Sequence, residues 1–160
     1  MGKADQAWAN ALRAEHFPPE RNYLQAHITL FHNLPPGHWP EIKTRLASLA
    51  HEFPAPDAWL RDVMFLGRGV AYRVECSDLL AMREELAADL QGLLTPQDQA
   101  KPRLHITVQN KVEPAIAKAL FAELSAGFEP RSLEITGFAA HFYRGGPWEP
   151  IQSWKFSGRG

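Results

Sequence analysis

The sequence is poor in cysteine, which excludes two kinds of structural reinforcement. Cys76 is the single cysteine among 160 residues, so the chain can form neither an internal disulfide nor a cysteine cluster around a metal ion. A protein with this cysteine usage is expected in the reducing cytoplasm.

Long apolar runs and net charge are also missing. No run approaches the roughly 20 apolar residues needed to span a bilayer, and the first residues show no signal peptide, so no membrane association is expected. The formal net charge is -1, which argues against a broad basic surface for extended duplex nucleic acid. A small anionic ligand, or the end of a short RNA, is compatible with a local cationic patch.

One stretch carries more chemical information than any other part of the chain. Residues 103–111 read Arg-Leu-His-Ile-Thr-Val-Gln-Asn-Lys, and their β-branched residues and period-2 alternation predict a strand. One face of this strand would hold the polar side chains His105, Thr107, Gln109 and Lys111. An imidazole, a hydroxyl, an amide and an ammonium group form the floor of a polar pocket rather than part of a core.

The same pattern occurs once more, as His27-Ile28-Thr29-Leu30, on a predicted strand over 23–31. On that strand His27 and Thr29 share a face with Gln25 and Phe31. The chain therefore holds two His-x-Thr strands, one in each half.

The predicted elements follow the same order in both halves: helix, His-x-Thr strand, helix, strand, glycine turn, strand. The predicted helices cover about 5–15, 40–53 and 77–93 and begin again at 114, and the other strands cover about 59–66, 70–76, 133–143 and 151–156. Residues 5–76 and 77–157 are therefore expected to be two copies of one unit within a single domain, 1–160. A duplicated unit that packs about a pseudo-twofold axis would bring the two His-x-Thr strands face to face across a cleft.

Two such histidines form a complete acid–base set. Histidine has a reference pKa of about 6.5, so near neutrality one copy can accept a proton while the other donates one. Held on opposite sides of one phosphorus, the pair can cleave a phosphodiester in line without a metal ion or cofactor. Each threonine hydroxyl can hydrogen-bond a non-bridging phosphate oxygen and stabilise the charge that develops there.

Paired His-x-Thr-hydrophobic motifs resemble those of the two-histidine phosphoesterase superfamily, in its LigT-like branch of 2'-5' RNA ligases and RNA 2',3'-cyclic phosphodiesterases. The resemblance covers residues 8–156. It implies an α+β, bilobal fold in which two pseudo-twofold-related α/β lobes turn antiparallel sheets toward a central cleft. It also implies that the substrate is an RNA end or small nucleotide carrying a 2',3'-cyclic phosphate, which is opened to a 2'-phosphate, and some members join or cleave 2'-5' linkages reversibly.

The family's functional residues carry over to four positions. His27 and His105 match the catalytic histidines, and Thr29 and Thr107 match the threonines that hold the phosphate. In the cyclic-phosphate direction we expect His105 to be the base and His27 the acid. The family normally opens with a strand before its first helix, whereas here a helix is predicted almost at once, so one sheet is expected to have an unpaired edge.

Further residues are candidate substrate contacts or structural residues. The candidates are Phe31, Arg103, Gln109, Lys111, Tyr143 and Trp148. Phe31 could stack on a base or belong to the core, and Tyr143 and Trp148 flank a Gly-Gly turn that could line the mouth of the cleft or simply pack the hairpin. The remaining histidines, His16, His32, His38, His51 and His141, are expected to be surface or structural residues.

Two other functions fit the same residues. A non-catalytic sensor of nucleotides or RNA ends would keep the cleft without turnover. A zinc hydrolase would need three protein ligands, and the sequence shows only one histidine per His-x-Thr strand and no convincing third ligand. The sequence leaves the physiological substrate and the oligomeric state open.

Overall fold

The computed structural model describes residues 1–145 and 147–159. The helices are α1 Lys3–His16, α2 Trp39–Glu52, α3 Ser77–Asp89, the short α4 Pro96–Gln99 and α5 Pro114–Ala126. The strands are β1 Asp57–Phe65, β2 Val70–Glu75, β3 His105–Gln109, β4 Arg131–Glu134, β5 Gly137–Phe142 and β6 Glu149–Lys155. None of the described helices combines the length and the apolar character that crossing a membrane requires.

A four-stranded antiparallel sheet in the order β3-β2-β1-β4 dominates one side of the molecule. Helices α1 and α5 cover one face of it, where the rings of Trp8 and Phe128 lie 4.9 and 5.3 Å from that of Tyr72. The other face, which we call the open face, carries the side chains of alternate residues such as Arg73, His105 and Thr107. Helices thus bury one face of the sheet and leave the other for function.

A second, smaller layer is built from the β5–β6 hairpin with helices α2 and α3. Trp39 of α2 packs against Trp154 of β6, with ring centroids 6.3 Å apart. Helix α2 buries Ile42, Leu46 and Leu49, as its predicted apolar spacing requires. The predicted α+β fold with antiparallel sheets is therefore confirmed.

The two sequence halves interleave in space. The four-stranded sheet takes β1 and β2 from the first half of the chain and β3 and β4 from the second half. The single strand predicted over 133–143 is wrong, because the chain leaves β4 at Glu134 and enters β5 at Gly137 in the other sheet.

The strand predicted over 23–31 is also wrong. This segment is extended, but its one described ladder contact is an antiparallel bridge between Ile28 and Ile106. Side chains satisfy its backbone instead: Asn10 accepts from the amide of Ala26, Gln6 donates to the Ala26 carbonyl, and Arg83 donates to the Leu30 carbonyl. Because these groups already have partners, the segment needs no second strand beside it.

Two apolar residues of the predicted helices are exposed. Leu93 is 43 % exposed because α3 ends at Asp89, before the predicted limit at 93. Ile116 is 55 % exposed because α5 turns Ala117 and Leu120 inward instead.

Candidate active site

The two His-x-Thr motifs meet at their central isoleucines. Ile28 and Ile106 form an antiparallel bridge, and Ile106 is fully buried. Antiparallel register about this pair places His27 opposite Thr107 and Thr29 opposite His105, all on the face away from the isoleucines. The bridge therefore acts as a local twofold axis that relates one motif to the other.

This arrangement sets the spacing of the two imidazoles. His27 and His105 occupy diagonal positions across the bridge, for which Cα atoms stand about 7–8 Å apart. The two rings are near enough for the charge of His105 to help lower the pKa of His27. Each threonine stands directly opposite the histidine of the other motif, so both hydroxyls border the same space.

Both imidazoles are held in the same way. The Nδ1 atom of His27 lies 2.8 Å from the carbonyl oxygen of Gln25, and that of His105 lies 2.6 Å from the carbonyl oxygen of Arg103. Because a carbonyl oxygen only accepts, Nδ1 must carry the proton in each ring. The other nitrogen, Nε2, is thereby left as the atom that accepts a proton in the neutral ring and donates one in the protonated ring.

The environment of His27 favours its neutral form. Burial lowers the pKa of His27 below its ordinary value, more strongly than the hydrogen bond to Gln25 raises it. Arg13, His141 and His105 lower it further through their positive charges. Every charge that affects His27 is thus cationic, and the site is suited to an anion.

Two buried arginines connect the motifs to the surrounding fold. Arg13 on α1 is 4 % exposed and donates to the Thr107 carbonyl at 2.9 Å. Arg83 on α3 is 5 % exposed and donates to the Leu30 carbonyl at 2.8 Å. The first helix of each sequence half therefore holds the motif that belongs to the other half.

Arg83 also holds the chain that leads into the second motif. It donates to the backbone carbonyls of Asp98 and Ala100. The Asp98 carboxylate, 1 % exposed, accepts from the amides of His32 and Asn33 just after the first motif. Burial raises the pKa of Asp98, but these amides and the His32 ring outweigh it and keep that pKa below its ordinary value.

The β5–β6 hairpin covers His27. The ring of Trp148 is half-buried, and its centroid lies 5.5 Å from that of His27 and 5.8 Å from that of His141. Burial lowers the pKa of His141. His141 is exposed, as expected of a surface residue, and its contact with Trp148 becomes visible only once the β5–β6 pairing is known.

A β-bulge moves Gln109 out of the site. Tyr72 and Ala71 pair with Ile106 and Thr107, but Val70 pairs with Gln109, so β3 holds one extra residue at Val108. The alternation reverses there, which buries Gln109 to 4 % exposure with its Oε1 unpartnered. The prediction that Gln109 shares a face with His105 is therefore wrong.

Lys111 does not continue the strand either. It follows the end of β3, is exposed, and adopts a positive φ of 62°. Its ammonium group is therefore no longer fixed on the strand face with His105, as the unbroken alternation would require.

Other candidate contacts are distributed unevenly around the site. Phe31 is half-buried, and the Cζ atom of Arg83 lies 4.6 Å from the centroid of the Phe31 ring. This packing favours the structural interpretation of Phe31. Arg103 is exposed and supplies its carbonyl to His105, and Tyr143 is 71 % exposed on the hairpin. Gly146, part of the predicted Gly-Gly turn, lies outside the described residues.

Arg73, which sequence patterning did not identify, lies next to His105. Its Cα is the ladder partner of His105 on the neighbouring strand. Only the pairing of β2 with β3 reveals this position. Within residues 1–145 and 147–159, no three His, Cys, Asp or Glu side chains are grouped so that they could hold a metal ion.

Comparison with known proteins gives the family and the fold of this chain. A family model described as the 2'-5' RNA ligase superfamily matches residues 2–147. Among solved structures, TT0787 of Thermus thermophilus is similar with a TM-score of 0.65 and 16 % identity, covering 100 % of this chain and 96 % of that one. Escherichia coli LigT, solved as a complex with NADP+, is similar with a TM-score of 0.58 and 18 % identity, and the match covers 98 % of this chain and 94 % of that one.

At these identities the solved structures show the shared fold, whereas the family model shows the relationship. A search of curated proteins found no match. Because the family model spans most of the sequence, including both His-x-Thr motifs, the chain belongs to the 2'-5' RNA ligase superfamily of two-histidine phosphoesterases.

Proposed function

We propose that this protein is a metal-independent phosphodiesterase that opens 2',3'-cyclic phosphates on RNA ends or nucleotides to 2'-phosphates. We base the proposal on the antiparallel bridge between Ile28 and Ile106, whose register favours two histidines and two threonines around one space. Family membership supports a phosphoesterase or ligase chemistry of this class.

The proposed reaction uses the two Nε2 atoms. The neutral imidazole takes a proton from water as the water oxygen bonds to phosphorus. The bond from phosphorus to the 3' oxygen breaks, and the protonated imidazole gives that oxygen its proton. The phosphate stays on the 2' oxygen, and the two histidines end with their protonation states exchanged.

The threonines and the cationic surroundings stabilise the negative charge that grows on the non-bridging oxygens. Thr29 and Thr107 flank the phosphate position and can each donate a hydroxyl hydrogen bond to it. The positive charge of Arg13 supports this stabilisation, because it helps to lower the pKa of His27.

The lowered pKa of His27 favours it as the base and His105 as the acid. This is the reverse of the assignment expected from the sequence. The roles exchange in the reverse reaction, so the same pair would also serve the reversible 2'-5' ligation that we include in the proposal.

Incubation with a 2',3'-cyclic nucleotide in the presence of EDTA tests the proposed activity, with the product followed by phosphorus NMR. The proposal predicts a 2'-phosphomonoester. Tight binding of 2'-phosphates with no turnover across cyclic and 2'-5' linked substrates would instead support a non-catalytic nucleotide or RNA-end sensor. Loss of activity on EDTA treatment and its return with zinc would support a zinc hydrolase.

A further inference from the structure

Arg73 occupies the position next to His105 on the open face of the sheet. The register of β2 with β3 pairs the two residues directly, and such partners have Cα atoms about 4.5–5.5 Å apart. Together with the bridge between the motifs, this places Thr29, His105 and Arg73 in one row across three neighbouring chain segments. Arg73 is therefore the first cation beyond His105 in that row.

One edge of the Arg73 guanidinium is fixed and the rest is accessible. Its Nε lies 2.9 Å from Oδ1 of Asp62, which is also its ladder partner on β1. The side chain is 53 % exposed. Nε donates to Asp62, and no other hydrogen bond of this guanidinium is found among the described residues, so its Nη donors are available to a ligand.

Arg61 on the same face offers a contrast. Its Nε and Nη2 atoms donate to the two carboxylate oxygens of Glu75, each at 2.8 Å, so this pair of donors is not available to a ligand. Arg73 keeps the planar pair of donors that suits a phosphate. Arg73 also forms a surface ion pair, with Asp62, but this pair occupies Nε alone, whereas the Arg61 pair occupies two nitrogens.

An RNA end carries a second anionic group next to the reacting one. The reacting phosphate occupies the space between the two motifs, and the next phosphate is the one that joins the terminal nucleotide to its 5' neighbour. A mononucleoside cyclic phosphate lacks this second phosphate.

We propose that Arg73 binds the phosphate on the 5' side of the terminal nucleotide, which makes RNA ends better substrates than mononucleotides. The inference rests on the proposed cyclic phosphodiesterase function. Asp62 acts as the anchor that turns the free donors of Arg73 toward the site.

The test compares a mononucleoside 2',3'-cyclic phosphate with a dinucleotide that ends in one. Replacing Arg73→Met should lower kcat/KM for the dinucleotide about tenfold, the value of one charge-assisted hydrogen bond, and change that for the mononucleotide less than about twofold. Arg61→Met, the matched control, should change neither value. Arg73→Lys should lose less of kcat/KM for the dinucleotide than Arg73→Met does, because lysine keeps the positive charge but lacks the paired N–H donors of a guanidinium.

Equal losses on both substrates, or no loss on either, would overturn the role of Arg73 while leaving the proposed activity intact. Failure of the wild-type protein to hydrolyse either substrate would overturn the proposed function and this inference with it. Thermal unfolding of each variant separates a binding defect from a folding defect.

Discussion

At the scale of single residues, hydrogen bonds to the two histidine rings determine which nitrogen can react. The carbonyls of Gln25 and Arg103 fix a proton on Nδ1 of each histidine, so the reactive atom is Nε2 in both. Trp148 then distinguishes His27 by covering its ring. We consequently assign His27 the neutral, proton-accepting state in the free protein.

Replacing Trp148→Ala should move the acid limb of the pH profile. Burial is the main cause of the lowered pKa of His27, so exposing the ring should raise that pKa toward its ordinary value. A base with a raised pKa stays protonated to higher pH, and the acid limb of kcat/KM should shift upward by the same amount. The readout is kcat/KM measured from acid to neutral pH.

Tyr143→Ala is the control, since Tyr143 lies on the same hairpin but is exposed and does not contact His27 in the described structure. Its acid limb should stay in place. If Trp148→Ala moved the alkaline limb and left the acid limb unchanged, His27 would be the acid, as the sequence-based assignment holds.

The sequence identifies some residues of the site and misplaces or misses others. Spacing alone identifies the His-x-Thr pairs, because alternation on an extended chain fixes which side chains share a face. It fails for Gln109, where a bulge at Val108 reverses the alternation, and it cannot find Arg73, whose position depends on which strand pairs with β3.

At the scale of elements, arginine side chains of α1 and α3 reach both motif segments, although only the second motif lies on a strand of the sheet, β3. Arg13 and Arg83 each reach a backbone carbonyl of a motif in the other half. The extended segment that contains His27 has few backbone partners of its own, so its shape depends on these donors.

Arg83→Met should destabilise the protein substantially. The side chain donates to the carbonyls of Leu30, Asp98 and Ala100, and its loss leaves buried acceptors unpaired. We expect the free energy of unfolding to fall by about 1–3 kcal/mol, the typical cost of leaving a buried polar group unsatisfied. Urea denaturation with a linear extrapolation measures this change.

Arg61→Met tests whether any arginine has this effect. Arg61 forms an exposed ion pair with Glu75, and such pairs contribute little to stability. Its urea midpoint should stay close to that of the wild type. Similar midpoints for the two variants would show that the contacts of Arg83 are not important for the fold.

At the scale of the whole molecule, one chain supplies both halves of the site. The α+β class, most helices and the β1–β2 hairpin follow from apolar spacing and turn residues, which depend on local sequence. The interleaving of the halves does not, because the pairing of β1 with β4 and of β2 with β3 joins distant segments. The segment over 23–31 is extended but not a strand, because side chains from distant helices satisfy its backbone.

Because both motifs meet within one chain, inactive variants should not complement each other. A mixture of His27→Ala and His105→Ala proteins should show no more activity than the sum of the two, whatever the oligomeric state. The mixture is assayed after mild denaturation and refolding together, which allows chains to exchange. Recovery of a substantial fraction of the wild-type activity would mean that the site is shared between chains.

The most direct test of the central claim, that two imidazoles act on one phosphorus, is the rate of cyclic-nucleotide hydrolysis by His27→Ala, His105→Ala and the double variant. We predict that each single variant loses roughly 100-fold or more in kcat, and that the double variant is little slower than either, because the pair acts as a unit. Near-wild-type hydrolysis by either single variant would contradict this claim.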